Sequence, residues 1–194
     1  NEKAQVILER NEENMASRIT KKDQTLLAHI GQHRFLSVSQ LSTLSERSAQ
    51  VIRRRIRALA GEGLIATRQR GYSRGKGRPE ALIFLTEKGA NLSINAGKTL
   101  NTSPSLENNM VDPFMVDHDL LVTWFHINLI QIERILPQIT VHCVTASSAF
   151  AKENKGGFDP LQEHVADEKD PDKTVKFMPD AVFVITKRDS DPKK

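Results

Sequence analysis

The first half of the chain carries three short segments in which apolar residues recur at helical spacing. The first begins at Thr20, with Asp23 three residues on, and the second begins at Ser37. Hydroxyl side chains at such positions accept hydrogen bonds from first-turn N–H groups and so start helices. The third segment spans about Ser48 to Ala60, and its apolar stripe at i, i+4 and i+7 consists of Ile52, Ile56 and Leu59.

A strand, a basic loop and a returning strand follow these predicted helices. Leu64–Thr67 and Ala81–Leu85 are apolar runs of strand length, and Arg70–Pro79 between them is rich in glycine and basic residues. Thr86 opens a further short helix that runs to about Asn95. This order of elements over residues 20–96 is typical of a winged helix-turn-helix domain, whose third helix lies in the major groove of DNA.

The second half of the chain predicts a separate region of mixed helix and strand. Residues 97–116 are polar and contain Asn, Ser and Pro, so we interpret them as a linker. A longer helix is predicted from about Asp117 to Leu136, ended by Pro137. One apolar face of it is marked by Leu121, Phe125, Leu129, Ile132 and Leu136, with Asn128 beside them.

Two strands are expected in this second region, at Ile139–Val144 and Ala181–Ile185. Residues 152–173 between them hold seven acids and four lysines with two glycines and two prolines, a composition typical of a long loop or a disordered insertion. The chain lacks an initiator methionine and stops in the polar run Lys187–Lys194, so we expect this region to be incomplete. The predicted fold class is therefore α+β: an arm or helix at 1–19, the winged helix at 20–96, and an α/β region over 117–194.

Composition narrows the classes of protein that the sequence can encode. The chain has 194 residues, of which 38% are hydrophobic and 27% charged, as in ordinary globular proteins. Its apolar runs are too short to span a bilayer, and its polar start is not a signal peptide. The single cysteine excludes a disulfide framework and suits the reducing cytoplasm. Aromatic residues make up only 5%, which argues against a reader of single strands built on stacking.

The positive charge of the chain is concentrated in one block. Arg47–Arg78 contains ten basic residues and one acid, a charge of +9, so the other 162 residues sum to −5 within a total of +4. A basic segment in an otherwise mildly acidic protein indicates a polyanionic partner. Most of the ten are arginine, which suits bidentate contacts to phosphate and guanine.

This block overlaps the third predicted helix and the hairpin loop, and we therefore predict that it binds double-stranded DNA. The arginines of the helix fall off the apolar stripe, and the loop residues lie among glycines that let the backbone approach DNA. A solvated basic surface is the alternative. Arg55 lies between stripe and solvent and is expected to support the fold. The predicted DNA-binding residues are Ser48, Gln50, Arg53, Arg54, Arg57, Arg70, Arg74, Lys76 and Arg78.

A family resemblance adds to this interpretation. Val51–Leu59, Glu62–Ile65 and Arg78–Gly89 look like the corresponding segments of prokaryotic winged-helix proteins as a broad class. The pairing of His118-Asp119-Leu120 with Pro179-Asp180-Ala181 resembles the replication-relaxation family of plasmids and other mobile elements. That resemblance implies a winged helix joined to a region similar to restriction-endonuclease-like folds, here truncated. It also implies a role in replication, mobilisation or transcriptional control of such elements.

The resemblance raises the hypothesis of a metal-dependent nicking or relaxing nuclease. In restriction-like nucleases, an Asp after Pro and an acid-x-Lys on the next strand bind Mg²⁺, a hard cation that prefers carboxylate oxygens. Asp180 fits the first role, and Glu133 is a further acid. The downstream match, Asp191-Pro192-Lys193, contains a proline that suits a central strand poorly. A turn at the start of a strand is the alternative role for Asp180, and we expect no hydrolytic activity from this chain.

Other candidate residues have structural explanations. His29 and His33 are four apart, as metal ligands on a helix can be, but no acid or cysteine joins them. His118 and Asp119 suit a helix start, and Cys143 suits a buried strand. Trp124 and Phe125 suit a core or a dimer interface. We therefore expect no metal and no cofactor, with Mg²⁺ entering only under the nuclease hypothesis, and the glycine loop is no phosphate-binding Walker loop.

Three hypotheses follow from the sequence. The first is a cytoplasmic protein that binds specific duplex DNA and can pair as a homodimer on two half-sites. The second is the nuclease that uses Asp180. The third is a ligand-responsive repressor, which predicts a small-molecule pocket around the long helix.

Overall fold

The structure is a computed structural model that describes residues 19–33, 35–70, 78–97, 115–145, 163–166, 168, 170, 173–177 and 179–188. The predicted arm, most of the predicted linker and the centre of the glycine-rich loop, which includes Arg74 and Lys76, lie outside the described residues. Among the described helices, none is both long enough and apolar enough to cross a bilayer.

Three helices form where the capping signals predict them. They are α1 (Lys21–Gln32), α2 (Val38–Ser45) and α3 (Ala49–Gly61). Reciprocal capping boxes start the first two, Thr20 with Asp23 and Ser37 with Gln40. The Ser48 hydroxyl accepts a hydrogen bond from the Val51 N–H at the start of α3. These caps satisfy N–H groups that have no partner within the helix, so each boundary is fixed locally.

A two-stranded hairpin follows the helices and completes the winged helix. Strand β1 (Ile65–Arg68) pairs antiparallel with β2 (Leu82–Leu85), with Ile65 opposite Leu85 and Arg68 opposite Leu82. Leu36, between α1 and α2, forms an isolated bridge with Ile83 and ties the hairpin to the helices. Helix α4 (Glu87–Asn95) follows directly. The predicted α+β class and the winged helix-turn-helix arrangement are confirmed.

The hairpin and α4 approach so closely that the side chain at position 89 must be hydrogen. A Cβ atom on Gly89 would lie 2.0 Å from the Leu64 carbonyl oxygen. Backbone atoms cannot yield as a flexible side chain would. We expect Gly89→Ala to lower the free energy of unfolding by about 2 kcal/mol or more, as overpacking of a core does.

Urea denaturation followed by circular dichroism measures this effect. Gly61→Ala is the matched control, since nothing lies within 4 Å of a Cβ placed on Gly61. That variant is expected to shift the free energy of unfolding by less than about 1 kcal/mol, and in the stabilising direction. Equal behaviour of the two alanine variants would contradict the packing seen at Gly89.

Helix α5 (Val116–Ile135) packs on the winged helix. Its Ile127 is fully buried in the core formed by α1–α4 and the hairpin, and Trp124 and Ile130 pack against the same core. The apolar face predicted for this helix is largely wrong. Leu129 is buried, but Leu121, Phe125, Ile132 and Leu136 are 40–69% exposed. Apolar residues surround much of this helix, so their spacing alone does not identify the buried face.

The described part of the carboxy-terminal region contains four strands in two antiparallel pairs. Strand β3 (Ile139–Thr145) pairs with β6 (Ala181–Lys187), and β4 (Glu163–Ala166) pairs with β5 (Thr174–Phe177). The prediction of an irregular segment over 152–173 is therefore wrong at β4. The high charge of that segment hides the strand, because pairing of the backbone with β5 does not require apolar side chains. Phe183 and the other apolar residues of β6 are substantially exposed.

Candidate nucleic-acid interface

Helix α3 has two opposite surfaces. Ile52, Ile56 and Leu59 face the core and are 0–9% exposed. The arginines Arg53, Arg54 and Arg57 are exposed on the other side, and so are Ser48 and Gln50 at the amino-terminal end. We call these five polar residues the α3 surface. The amphipathic pattern of the helix separates them from the core, so their side chains are available to a partner.

Arg55 belongs to neither surface, because it holds α3 against α1. Its guanidinium donates two hydrogen bonds to Asp23, from Nε to Oδ1 at 2.8 Å and from Nη2 to Oδ2 at 2.6 Å. The Asp23 side chain is 1% exposed, and it also accepts hydrogen bonds from the Thr20 hydroxyl and backbone N–H. Burial raises the pKa of the Asp23 carboxyl, but the hydrogen bonds from Thr20 and Arg55 outweigh it and lower the pKa overall. The expected structural role of Arg55 agrees with this geometry.

The structure describes the two ends of the predicted basic loop, at Arg70 and Arg78. Arg78 is exposed where the chain returns into β2. Arg70, two residues after the end of β1, forms an ion pair with Asp117 in the first turn of α5. Arg70 is therefore engaged by an acid of this chain, which the sequence did not indicate. The structure does not describe Arg74 and Lys76.

Glu80, in the loop just before β2, fixes this end of the loop to α2, and sequence reasoning missed it. The backbone N–H and the hydroxyl of Ser39 donate hydrogen bonds to its carboxylate at 3.2 and 2.8 Å. A carboxylate at a helix N-terminus satisfies free N–H groups and interacts favourably with the helix dipole. The contact joins residues 41 positions apart, so no local pattern could have revealed it.

Helix α5 is attached to α2 along its length by polar contacts. The Gln40 side chain donates to the Leu120 carbonyl at 3.0 Å, and the Gln131 side chain donates to the Thr43 carbonyl at 3.3 Å. Arg134 donates to the Leu44 carbonyl at 2.9 Å and forms an ion pair with Glu46 at 2.8 Å. The carboxy-terminal region is thereby coupled to the helix-turn-helix, whose turn contains Glu46.

The two motifs that carry the family resemblance meet in the structure. His118 Nε2 lies 3.2 Å from Asp180 Oδ2, and His118 Nδ1 lies 3.5 Å from Asp119 Oδ1. The hydrogen bond with Asp180, followed by Asp119, raises the pKa of the His118 imidazole. Asp180, which directly precedes β6, is thus the partner of His118 in α5.

The described candidates for the nuclease site, Asp180 and Glu133, do not assemble into a metal site, and Asp191-Pro192-Lys193 lies outside the described residues. Glu133 forms an ion pair with Arg188 at 2.7 Å. Within the described part of the chain, no group of three or more His, Cys, Asp or Glu residues is placed to hold a metal ion. These residues therefore do not fit the Mg²⁺ of the nuclease hypothesis, and we derive no catalytic step from them.

The remaining candidates range from buried to half-exposed. His33 is buried with its ring centroid 5.3 Å from that of His126, and burial, with the nearby histidines, lowers its pKa to about 3. Burial raises the pKa of the half-buried Cys143 thiol, so it is a poor nucleophile near neutral pH. Phe125 is half-exposed and meets Phe183 edge-on at 5.3 Å between ring centroids.

Comparison with known proteins identifies one family and several distant structural relatives. The model of the replication-relaxation family matches residues 27–190. No curated protein matches the sequence. Among solved structures, an S. aureus MepR–DNA complex is 15% identical, with 69% of this chain and 94% of that chain covered and a TM-score of 0.37. A MarR family transcriptional regulator from Silicibacter pomeroyi is 20% identical, with 66% and 79% covered and a TM-score of 0.38. Similarity at this level does not bear on what the chain binds.

Proposed function

The chain belongs to the replication-relaxation family, and we propose that it is a cytoplasmic protein that binds specific sites in duplex DNA. Its role would lie in the replication, mobilisation or transcriptional control of plasmids or other mobile elements. The observation that carries the proposal is the α3 surface, where three arginines are exposed on the side of the helix opposite the core.

The proposed mode of binding places α3 in the major groove. Ser48 and Gln50 at its amino-terminal end would reach base edges, where hydroxyl and amide side chains donate and accept hydrogen bonds. Arg53, Arg54 and Arg57 would contact phosphates and guanines. Arg70, Arg78 and the loop residues Arg74 and Lys76 would contact the flanking backbone. Glu80 supports this arrangement by holding the end of the loop next to β2 against α2.

A titration of duplex DNA at several salt concentrations tests the proposal. Binding in which Lys and Arg neutralise phosphates weakens steeply with salt. The slope of log affinity against log salt becomes more negative by about 0.9 for each phosphate neutralised. The stoichiometry of the same titration tests the proposed homodimer, since two chains per site are expected if two half-sites are bound. A lack of binding at low salt would overturn the proposal. Incubation of supercoiled plasmid with Mg²⁺ tests the alternative of a nuclease that uses Asp180, whose carboxylate pairs with His118.

Asp117 competes with DNA phosphate for Arg70 in this proposal. The Asp117 side chain is 82% exposed, so Arg70 can exchange it for a DNA phosphate at little cost in free energy. We expect Asp117→Asn to tighten DNA binding by about 2- to 5-fold, the range that a surface ion pair of up to about 1 kcal/mol allows. Fluorescence anisotropy with a labelled duplex measures the change.

Asp170→Asn is the charge-matched control, because it also removes one exposed acid that pairs with a lysine, Lys173. We expect that variant to bind DNA as the unaltered protein does. Adding Arg70→Ala to Asp117→Asn should remove the gain in affinity. A gain that persists in the double variant would show that general charge repulsion, and not the Arg70 pair, is responsible.

A further inference from the structure

A groove of about 250 Å³ lies beside the turn of the helix-turn-helix. It is lined by Lys22, Thr25 and His29 of α1, by Leu44 to Arg47 where α2 ends, and by Arg134 of α5. Its volume is below the range of roughly 300–1,000 Å³ that is usual for drug-sized ligands, so it suits a smaller molecule. None of its lining residues belongs to the α3 surface or takes part in the contacts proposed above.

The charges that line the groove favour an anion. Lys22, Arg47 and Arg134 are basic, and Glu46 is the acid that opposes them. Burial, followed by the charge of Arg134, lowers the pKa of His29. The excess of positive charge in the groove therefore comes from Lys22, Arg47 and Arg134, not from the His29 imidazole. Arginine presents planar N–H donors that match the oxygens of phosphate or carboxylate.

The acid in the groove occupies the position that an anionic ligand would take. Glu46 Oε1 lies 2.8 Å from Nη1 of Arg134, whose Nη2 donates to the Leu44 carbonyl. The Glu46 side chain is 69% exposed, so water can replace its contact at little cost. A phosphate oxygen could therefore displace it from Arg134 while the bond to Leu44 remains.

Glu46 also has an unusual backbone conformation at the point where α2 ends. Its φ is 53°, in the left-handed region that non-glycine residues rarely adopt. Two residues later Ser48 caps α3, and the Ser42 hydroxyl donates to the Arg47 carbonyl within the same turn. A change in the partner of Glu46 therefore acts on the turn that positions the α3 surface.

We propose that this groove binds a phosphate group, which replaces Glu46 on Arg134 and changes the affinity for DNA. The proposed source of the phosphate is a small free molecule, and the alternative source is the backbone of bound DNA. Binding of the free anion does not depend on the proposed function, whereas the effect on DNA affinity rests on it.

Calorimetric titration of the DNA-free protein with inorganic pyrophosphate, at constant ionic strength, tests the binding step. A double variant Lys22→Ala with Arg47→Ala is expected to weaken binding by about 10-fold or more, since it removes two of the three cations. Glu46→Gln is expected to tighten binding by about 3- to 5-fold, because the competing charge is lost. Lys88→Ala and Glu87→Gln, on α4, are the matched controls and should leave binding unchanged.

A gain for Glu46→Gln that Glu87→Gln does not share separates a specific site from general attraction, and a gain of either kind excludes loss of folding. No saturable binding of pyrophosphate together with an unchanged salt slope of DNA binding in the double variant, or equal binding of pyrophosphate in all variants, would overturn the proposal. If pyrophosphate does not bind but the double variant lowers the salt slope of DNA binding by about 1.8, the groove takes DNA phosphate and the free-anion source is wrong. If pyrophosphate binds as expected but no variant of the chain binds DNA, the groove stands and the proposed function fails.

Discussion

Replacing Arg53, Arg54 and Arg57 with alanine is expected to weaken binding to duplex DNA by about 100-fold or more. If each arginine neutralises one phosphate, the slope of log affinity against log salt should fall by about 2.7, which is about 0.9 for each residue. The three side chains are exposed on the side of α3 opposite the core, so their loss removes contacts to a partner and few within the protein. Anisotropy titrations of labelled duplex at four salt concentrations measure both quantities.

The fold of this triple variant should be intact, which keeps the result interpretable. The contact that Arg57 makes within the helix is a long hydrogen bond of 3.4 Å from its Nε to the Arg53 carbonyl. Surface substitutions of this kind change the free energy of unfolding by about 0.5 kcal/mol or less. Circular dichroism and the melting temperature check this for every variant.

A charge-matched control separates the α3 surface from net charge. Lys173, Lys176 and Lys187 are exposed in or beside the carboxy-terminal strands. Their replacement by alanine also removes three positive charges. This control should retain most of the affinity and slope. Equal losses in the two triple variants would contradict the proposed interface and point to general electrostatic attraction.

Substitution of the three arginines by lysine separates phosphate contacts from base readout. Lysine keeps the charge but lacks the planar fork that bonds to guanine O6 and N7. The salt slope should therefore persist while the preference for the specific site over random duplex declines. A preserved preference would place base recognition elsewhere, with Ser48 and Gln50 as the first candidates.

Much of the winged helix could be predicted because its signals are local. The capping boxes at Thr20 and Ser37 lie within one turn of the residues they bond, and α3 (Ala49–Gly61) forms within one residue of its predicted bounds. The alternation of apolar strands with a basic loop predicted the hairpin. Each of these elements depends on neighbours in the sequence, so the sequence alone specifies it.

The contacts that could not be predicted join distant parts of the chain. Glu80 bonds Ser39 across 41 positions, Arg70 meets Asp117 across 47, and Arg134 reaches the Leu44 carbonyl across 90. The buried face of helix α5 was also predicted wrongly, because the elements that α5 packs on are distant in the sequence and decide which of its sides is buried. The resemblance identified both motifs at His118 and Asp180, but only the fold shows that they touch.

Arg55→Ala is expected to lower the free energy of unfolding by about 3–5 kcal/mol, because it leaves the buried carboxylate of Asp23 without its opposite charge. The melting temperature should fall by on the order of 10 °C. Arg54→Ala, one residue earlier and exposed, is the matched control and should change the free energy of unfolding by less than about 0.5 kcal/mol. Urea denaturation gives the free energies.

The pH dependence of stability gives a second test of the same ion pair. The pKa of Asp23 is lowered in the folded protein, so its ionised form contributes stability above the unfolded pKa of about 3.9. That contribution is lost as the pH falls through the lower, folded pKa. The difference in unfolding free energy between the unaltered protein and Asp23→Asn should therefore be full at pH 7 and shrink below about pH 4.

The two arginine variants should also differ in DNA binding. Arg55→Ala, the less stable variant, should bind DNA normally, whereas Arg54→Ala, the more stable variant, should bind DNA more weakly. Under conditions where Arg55→Ala is folded, its salt slope should equal that of the unaltered protein, while Arg54→Ala should lose about 0.9. Replacing both members of the buried pair, as in Asp23→Leu with Arg55→Met, should recover most of the stability, because no buried charge is left unpaired. A salt slope that falls with Arg55→Ala as it does with Arg54→Ala would place Arg55 in the DNA interface and contradict its assignment to the ion pair.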